Sequence, residues 1–163
     1  MDWLGGARAL RRIQRVTLSP SDKLPPKELP SVLEKIQTLH TLPTLITNDS
    51  KISEQQIAEL LANIEVHSLS MKRVQLSQQE LPWLNQPGLT WLCLAHTEFS
   101  NPAIHSLPPS LEYLDASDTQ INDAGLEDFR RLTHLRKLIL RRTPTSQAAI
   151  EDLRKKMPWC MIE

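Results

Sequence analysis

A chain of 163 residues with 40% hydrophobic and 23% charged side chains has the make-up of one soluble globular domain, and with only 4% aromatic residues its core must be aliphatic. A formal net charge of +0 speaks against broad electrostatic capture of nucleic acid, which needs many Lys and Arg contacts to phosphates. Cys93 and Cys160 stand far apart and in no CxxC pair, so neither a zinc site nor a disulfide framework is signalled, and no apolar run reaches the roughly 18 residues that span a bilayer.

Residues 1–12 carry Arg8, Arg11 and Arg12 against a single acid, Asp2, and Arg15 follows closely. They lack the apolar stretch and small-residue cleavage site of a secretory signal. Trp3, Leu4, Ala7 and Leu10 fall on one helical face, so the segment reads as an amphipathic capping helix; a mitochondrial transit peptide is the alternative. The expected compartment is accordingly cytoplasmic, with the mitochondrion as its rival.

A degenerate unit follows at Ile13, Val16, Leu18 and Ser21, and a clearer one at Leu42, Leu45, Thr47, Ser50 and Ile52. The frame places mostly apolar residues at positions 1, 4, 6 and 11 and a hydroxyl at 9. Ser53 with Gln56 forms a capping box before the amphipathic Ile57, Leu60, Leu61 and Ile64. The frame returns at Val66, Leu69, Met71, Val74 and Leu76, with Val74 in place of the hydroxyl. Pro82 limits residues 80–84 to a turn or 3₁₀ piece. Leu89, Leu92, Leu94, Thr97 and Phe99 come next, and Asn101-Pro102 reads as an N-cap with proline at the first helical position. After Leu111, Leu114, Ala116, Thr119 and Ile121, either Asn122 or Asp123 can cap a helix over residues 126–132. After Leu135, Leu138, Leu140, Thr143 and Thr145, Ser146 precedes Ile150, Leu153 and Met157. Residues 158–163 occupy the next expected start and read as a short final strand and cap, with Trp159 plugging the end.

The copies start at 13, 42, 66, 89, 111 and 135, with spacings of 29, 24, 23, 22 and 24. Such spacing marks a solenoid of about six repeats over residues 13–157, in a single domain covering 1–163. The stretch 119–140, TQINDAGLEDFRRLTHLRKLIL, resembles the repeat of leucine-rich-repeat proteins, particularly the bacterial kind of about 22–24 residues. The resemblance extends over residues 42–162 and, in degenerate form, back to 13. It implies an α/β fold: a right-handed solenoid with a parallel β-sheet on its concave face, and helices and irregular turns on its convex face. It also implies partner binding through that sheet. Pro82, Pro108 and Pro109 depart from the pattern and put regular helices in their repeats in doubt.

Because side chains alternate along a strand, positions 4 and 6 stack inward while 3, 5, 7 and 8 face solvent on the concave side. The hydroxyls of Ser50, Thr97, Thr119 and Thr143 should satisfy backbone groups where the chain leaves the strand. Position 3 forms the row Arg15, Thr44, Ser68, Trp91, Tyr113 and Lys137. Trp91 and Tyr113 are adjacent where the fold needs no bulk, with His96, Asp115, Asp118, Lys137, Arg141 and Arg142 around them. Trp, Tyr and Arg are enriched at interface hot spots, so these eight residues are the candidate partner-binding site. The competing expectations are that Asp118 simply pairs with Arg142 across the strands, or that an N-terminal segment or a segment of a partner copy covers the aromatics.

Other chemistry finds little support. Cys93 and His96 lie three apart, but no third orienting residue and no glycine-rich oxyanion turn accompanies them, so a solvated thiol beside a loop histidine is expected and no catalytic residue is assigned. His40, His67, His105 and His134 lack metal-ligand spacing, and Asp115 with Asp118 falls short of the six to eight oxygens that calcium takes. No phosphate-cradling glycine motif occurs, and the basic residues between Arg130 and Arg142 are split between helix and strand. The sequence therefore reads as a non-catalytic module with no metal or cofactor, binding another protein rather than nucleic acid or membrane, as a monomer or in a hetero-complex. The alternative is a structural accessory subunit of a larger multiprotein assembly.

Overall fold

The computed structural model describes residues 13–18 and 28–163; the expected capping helix over 1–12 lies outside them. In chain order the elements are β1 (Arg15–Thr17), α1 (Leu29–Gln37), β2 (Thr41–Ile46), α2 (Glu54–Leu61), β3 (Glu65–Ser70), a 3₁₀ turn (Pro82–Leu84), β4 (Trp91–Cys93), α3 (Asn101–Ile104), β5 (Tyr113–Asp115), a 3₁₀ helix (Asp123–Arg131), β6 (Lys137–Ile139), α4 (Gln147–Lys156) and β7 (Met161–Ile162). All seven strands form one parallel sheet in sequence order. Parallel neighbours need a crossover, which the convex helices and turns supply.

The register is that of the repeat frame. Position 4 aligns through every strand as Val16, Leu45, Leu69, Leu92, Leu114, Leu138 and Ile162. Leu45 onward in this column is buried, and so is the position 1 column of Leu42, Val66, Leu89, Leu111 and Leu135. Burial of each such side chain contributes about 1.5–3 kcal/mol, which no single repeat can obtain alone. Phe99, Phe129, Ile57 and Leu60 close the core from the convex side.

After each strand the chain turns out of the sheet at position 8. Asp49, Arg73, His96, Asp118 and Arg142 there all have left-handed backbones, with φ between 54° and 59°. Such a conformation costs a non-glycine residue roughly 1–2 kcal/mol. It persists because the amides of Asp49, Arg73, His96 and Asp118 bond the carbonyls of Lys72, Ala95, Ser117 and Arg141 in the next repeat. One residue on, the hydroxyls of Thr97, Thr119 and Thr143 donate back to the carbonyls of Leu94, Ala116 and Leu140 at 2.6–2.7 Å. Ser50 was expected to do the same, but its Oγ has no hydrogen-bond partner. The backbone amide of Ser50 does close that turn, at 3.2 Å from the Thr47 carbonyl.

The convex side follows the capping signals with two shifts. Ser53 and Gln56 make the expected reciprocal box, and Ser146 caps α4. The N-cap of α3 is Ser100 rather than Asn101, because Asn101 is engaged elsewhere. Asn122 caps the expected segment, but that segment is a 3₁₀ helix, and its Gly125 lies close against the Asn101 side chain. These starts are tied in series: Glu54 accepts from the amide and hydroxyl of Ser77, Asn101 bonds Asn122 through two contacts, and Asp123 accepts from the amide and hydroxyl of Ser146. Helix α1 has no counterpart among the elements the sequence pattern predicts.

The last strand is finished by its own helix. Met161 and Glu163 direct their amides to β6, so the Ile162 carbonyl faces outward, where Arg154 donates to it from Nε and Nη2 at 3.1 and 2.8 Å. Trp159 does not plug this end: it is 46% exposed, beside Met161 at 60%, while Met157, Cys160 and Ile162 fill the interior.

Candidate interaction face

Strands β4 and β5 present Trp91 and Tyr113 at position 3, directly paired across the ladder. Their rings stack with centroids 5.0 Å apart and planes 7° from parallel. This follows from the strand spacing of about 4.8 Å: planar side chains at one position of neighbouring parallel strands lie face to face. Such pairs add about 0.5–1.5 kcal/mol beyond burial. Both rings are half-buried, and burial, with a smaller contribution from Asp115, pushes the Tyr113 phenol pKa upward.

The floor beside them differs from expectation. Positions 5 and 7 were read as solvent-facing, yet Ser70, Cys93, Ala95 and Ser117 are buried. These four side chains are small. Cys93 is therefore a covered thiol rather than a solvated one. Burial raises its pKa, Asp115 adds to the effect, and the thiolate a nucleophile needs is disfavoured.

The position 8 residues form a row that carries paired charges. Asp49 pairs with Arg73 through both oxygens. His96 Nε2 lies 3.4 Å from Asp118, and Arg142 grips the same carboxylate in a two-point contact with Nε at 2.7 Å. The Arg142 hydrogen bond is the main reason the Asp118 pKa is lowered. The expected Asp118–Arg142 pair thus exists. Lys137 and Arg141 are held by Glu163, whose pKa their contacts lower, Lys137 most. The structure sets Trp91, Tyr113, Asp115 and Lys137 on the adjoining strands β4, β5 and β6, puts His96, Asp118 and Arg142 in the position 8 turns, and turns Lys137 and Arg141 to a further residue, Glu163. That residue was missed, though it occupies position 5 of the frame starting at 159.

Among the described residues, no helix is long and apolar enough to cross a membrane, and no group of three His, Cys, Asp or Glu side chains could hold a metal ion. No family model and no curated protein matches the chain. Among solved structures, a leucine-rich-repeat protein of Leptospira interrogans is similar over 95% of this chain at 19% identity and a TM-score of 0.52; the chain spans 38% of that protein. A chain in a structure of Chaetomium Mex67:Mtr2 subunits is similar at 16% identity and a TM-score of 0.41, covering 83% of this chain and 87% of its own. The TLR13–ssRNA13 complex offers a further likeness at 16% identity and a TM-score of 0.42, over 95% of this chain and 33% of the other. With seven parallel strands in sequence order, a common position 4 spine and the first of these likenesses, the chain has the α/β fold of a leucine-rich-repeat solenoid.

Proposed function

We propose that the chain is a non-catalytic protein-interaction module that grips a partner protein with its concave sheet, around Trp91 and Tyr113. The stacked, half-exposed aromatic pair carries this reading. In the same row Thr44 and Ser68 are small, so stacking of the repeats does not demand bulk there. Rigid aromatic anchors lose little conformational entropy on binding. His96, Asp115, Asp118, Lys137, Arg141 and Arg142 form the polar rim, with Asp118 paired to His96 and Arg142, and Lys137 and Arg141 paired to Glu163. No metal, cofactor or nucleic acid enters this function. Two free, buried cysteines suit a reducing compartment, and we assign the cytoplasm.

The test is capture of partners from the native cell by the tagged chain. Trp91→Ala with Tyr113→Ala is expected to abolish capture while the circular dichroism spectrum stays unchanged. Undiminished capture by the folded double variant would overturn the reading.

A second reading, that of a structural subunit within a larger assembly, is favoured by exposed Trp159 and Met161 at the terminal strand. It expects co-purification at fixed stoichiometry that survives the double alanine variant but is lost with Trp159→Ser and Met161→Ser.

A further inference from the structure

Glu163 changes what the concave floor can bind. It sits at position 5 beyond β7, holds Lys137 Nζ at 2.7 Å and forms a second ion pair with Arg141. Lys137 and Arg141 are the diagonal neighbours of Asp115 on the adjoining strand and turn, the cations best placed to answer its charge. With both drawn toward Glu163, Asp115 is, among the described carboxylates at positions 3, 5, 7 and 8, the one with no Lys, Arg or His at ion-pair distance; Asp49, Asp118 and Glu163 all have one. Its Oδ1 accepts from the amide and hydroxyl of Ser117 at 3.0 and 2.6 Å. Its Oδ2 meets only the Cys93 thiol, at 3.9 Å. Asp115 is half-buried and a thiol is a weak donor, so this oxygen keeps capacity for a stronger one.

We propose that Asp115 receives a basic side chain, lysine or arginine, from an extended segment of the partner protein. The proposal rests on the concave-face reading above. Positions 3 and 5 of one strand lie about 6.6 Å apart, a span that a lysine or arginine stem covers. The aliphatic stem packs against Trp91 and Tyr113 while the charged head meets Oδ2, a division of labour natural to these side chains. Lys72 is the nearby cation that could oppose this. It acts electrostatically on Cys93 and Asp118 but forms no ion pair with Asp115, whose Oδ2 meets only the Cys93 thiol.

Three acetylated and amidated hexapeptides test it by amide-resolved NMR on the full chain: alternating arginine and serine, and the same with citrulline or with glutamate in place of arginine. The arginine peptide is expected to move the Trp91 indole and Ser117 amide signals saturably at millimolar concentration or below, and the citrulline peptide to fail. Asp115→Asn should weaken binding about ten- to a hundredfold, as loss of a hydrogen bond to charge implies. Glu163→Gln leaves Asp115 in place but frees Lys137 and Arg141 to occupy it, so binding should weaken there as well. Unchanged affinity in folded Asp115→Asn, tighter binding of the glutamate peptide, or no saturable shift would overturn the proposal. So would movement of the same two signals, without peptide, on replacing Arg8, Arg11 and Arg12 by Gln, because the occupant would then be this chain itself. If Trp91→Ala with Tyr113→Ala loses partner capture while Asp115→Asn keeps peptide affinity, the concave-face reading stands and the cation site falls.

Discussion

Gly125 has no room for a methyl group. A Cβ built there would lie 2.3 Å from the Asn101 Oδ1 and 3.0 Å from its Cβ, so the whole Asn101 side chain would have to move. That side chain ties two repeats through its contacts with Asn122. Gly125→Ala is therefore expected to lower unfolding stability by about 1–3 kcal/mol, the usual cost of overpacking. Adding Asn101→Ala should recover part of the loss in a double-mutant cycle measured by urea unfolding. Gly88→Ala serves as the control, since the nearest atom to its added methyl is 3.9 Å away. A second residue-scale effect concerns acid. The amide and hydroxyl of Ser146 hold the Asp123 carboxyl below its ordinary pKa. The folded value lies below the unfolded one, so the tie contributes fully above the ordinary carboxylate pKa of about 4 and is lost as pH falls through the lowered value. Asp123→Asn should give a shallower decline of the urea midpoint between about pH 5 and pH 2 than the unsubstituted chain shows.

At the scale of elements, the repeat frame read from the sequence reproduces the register, because one aliphatic column at position 4 can face the core only one way. The parts that stayed illegible have physical reasons. Helix α1 lies in the longest spacing, between starts 13 and 42, where no frame position constrains it and Pro25, Pro26 and Pro30 obscure a helical pattern. The ties between Glu54 and Ser77, and between Asp123 and Ser146, join positions 13 and 12 of successive copies, a spacing visible only once the copies are aligned. Strand alternation placed Cys93, Ala95 and Ser117 on the concave side but could not tell that they would be buried there. Alternation likewise located Asp115 without showing which cations would be diverted from it. Element β7 exposes a further control. Arg154 occupies the outward carbonyl of this edge strand, which would otherwise offer itself for pairing. Arg154→Met keeps much of the aliphatic stem and removes the donors, and an increase in self-association with concentration is expected by sedimentation velocity relative to the unsubstituted chain.

Among the described residues, every strand pairs only with its sequence neighbours, so order across the whole molecule is assembled from short-range contacts. That arrangement has a mechanical corollary. Tension applied to the two ends along the stacking direction would load the interstrand hydrogen bonds one ladder at a time instead of shearing them together. The chain should then yield as a series of small peeling events under low force. Each event should release a segment of roughly 23 residues, near 80 Å of extended polypeptide. An optical-trap trace with one abrupt rip of the entire sheet would contradict that picture.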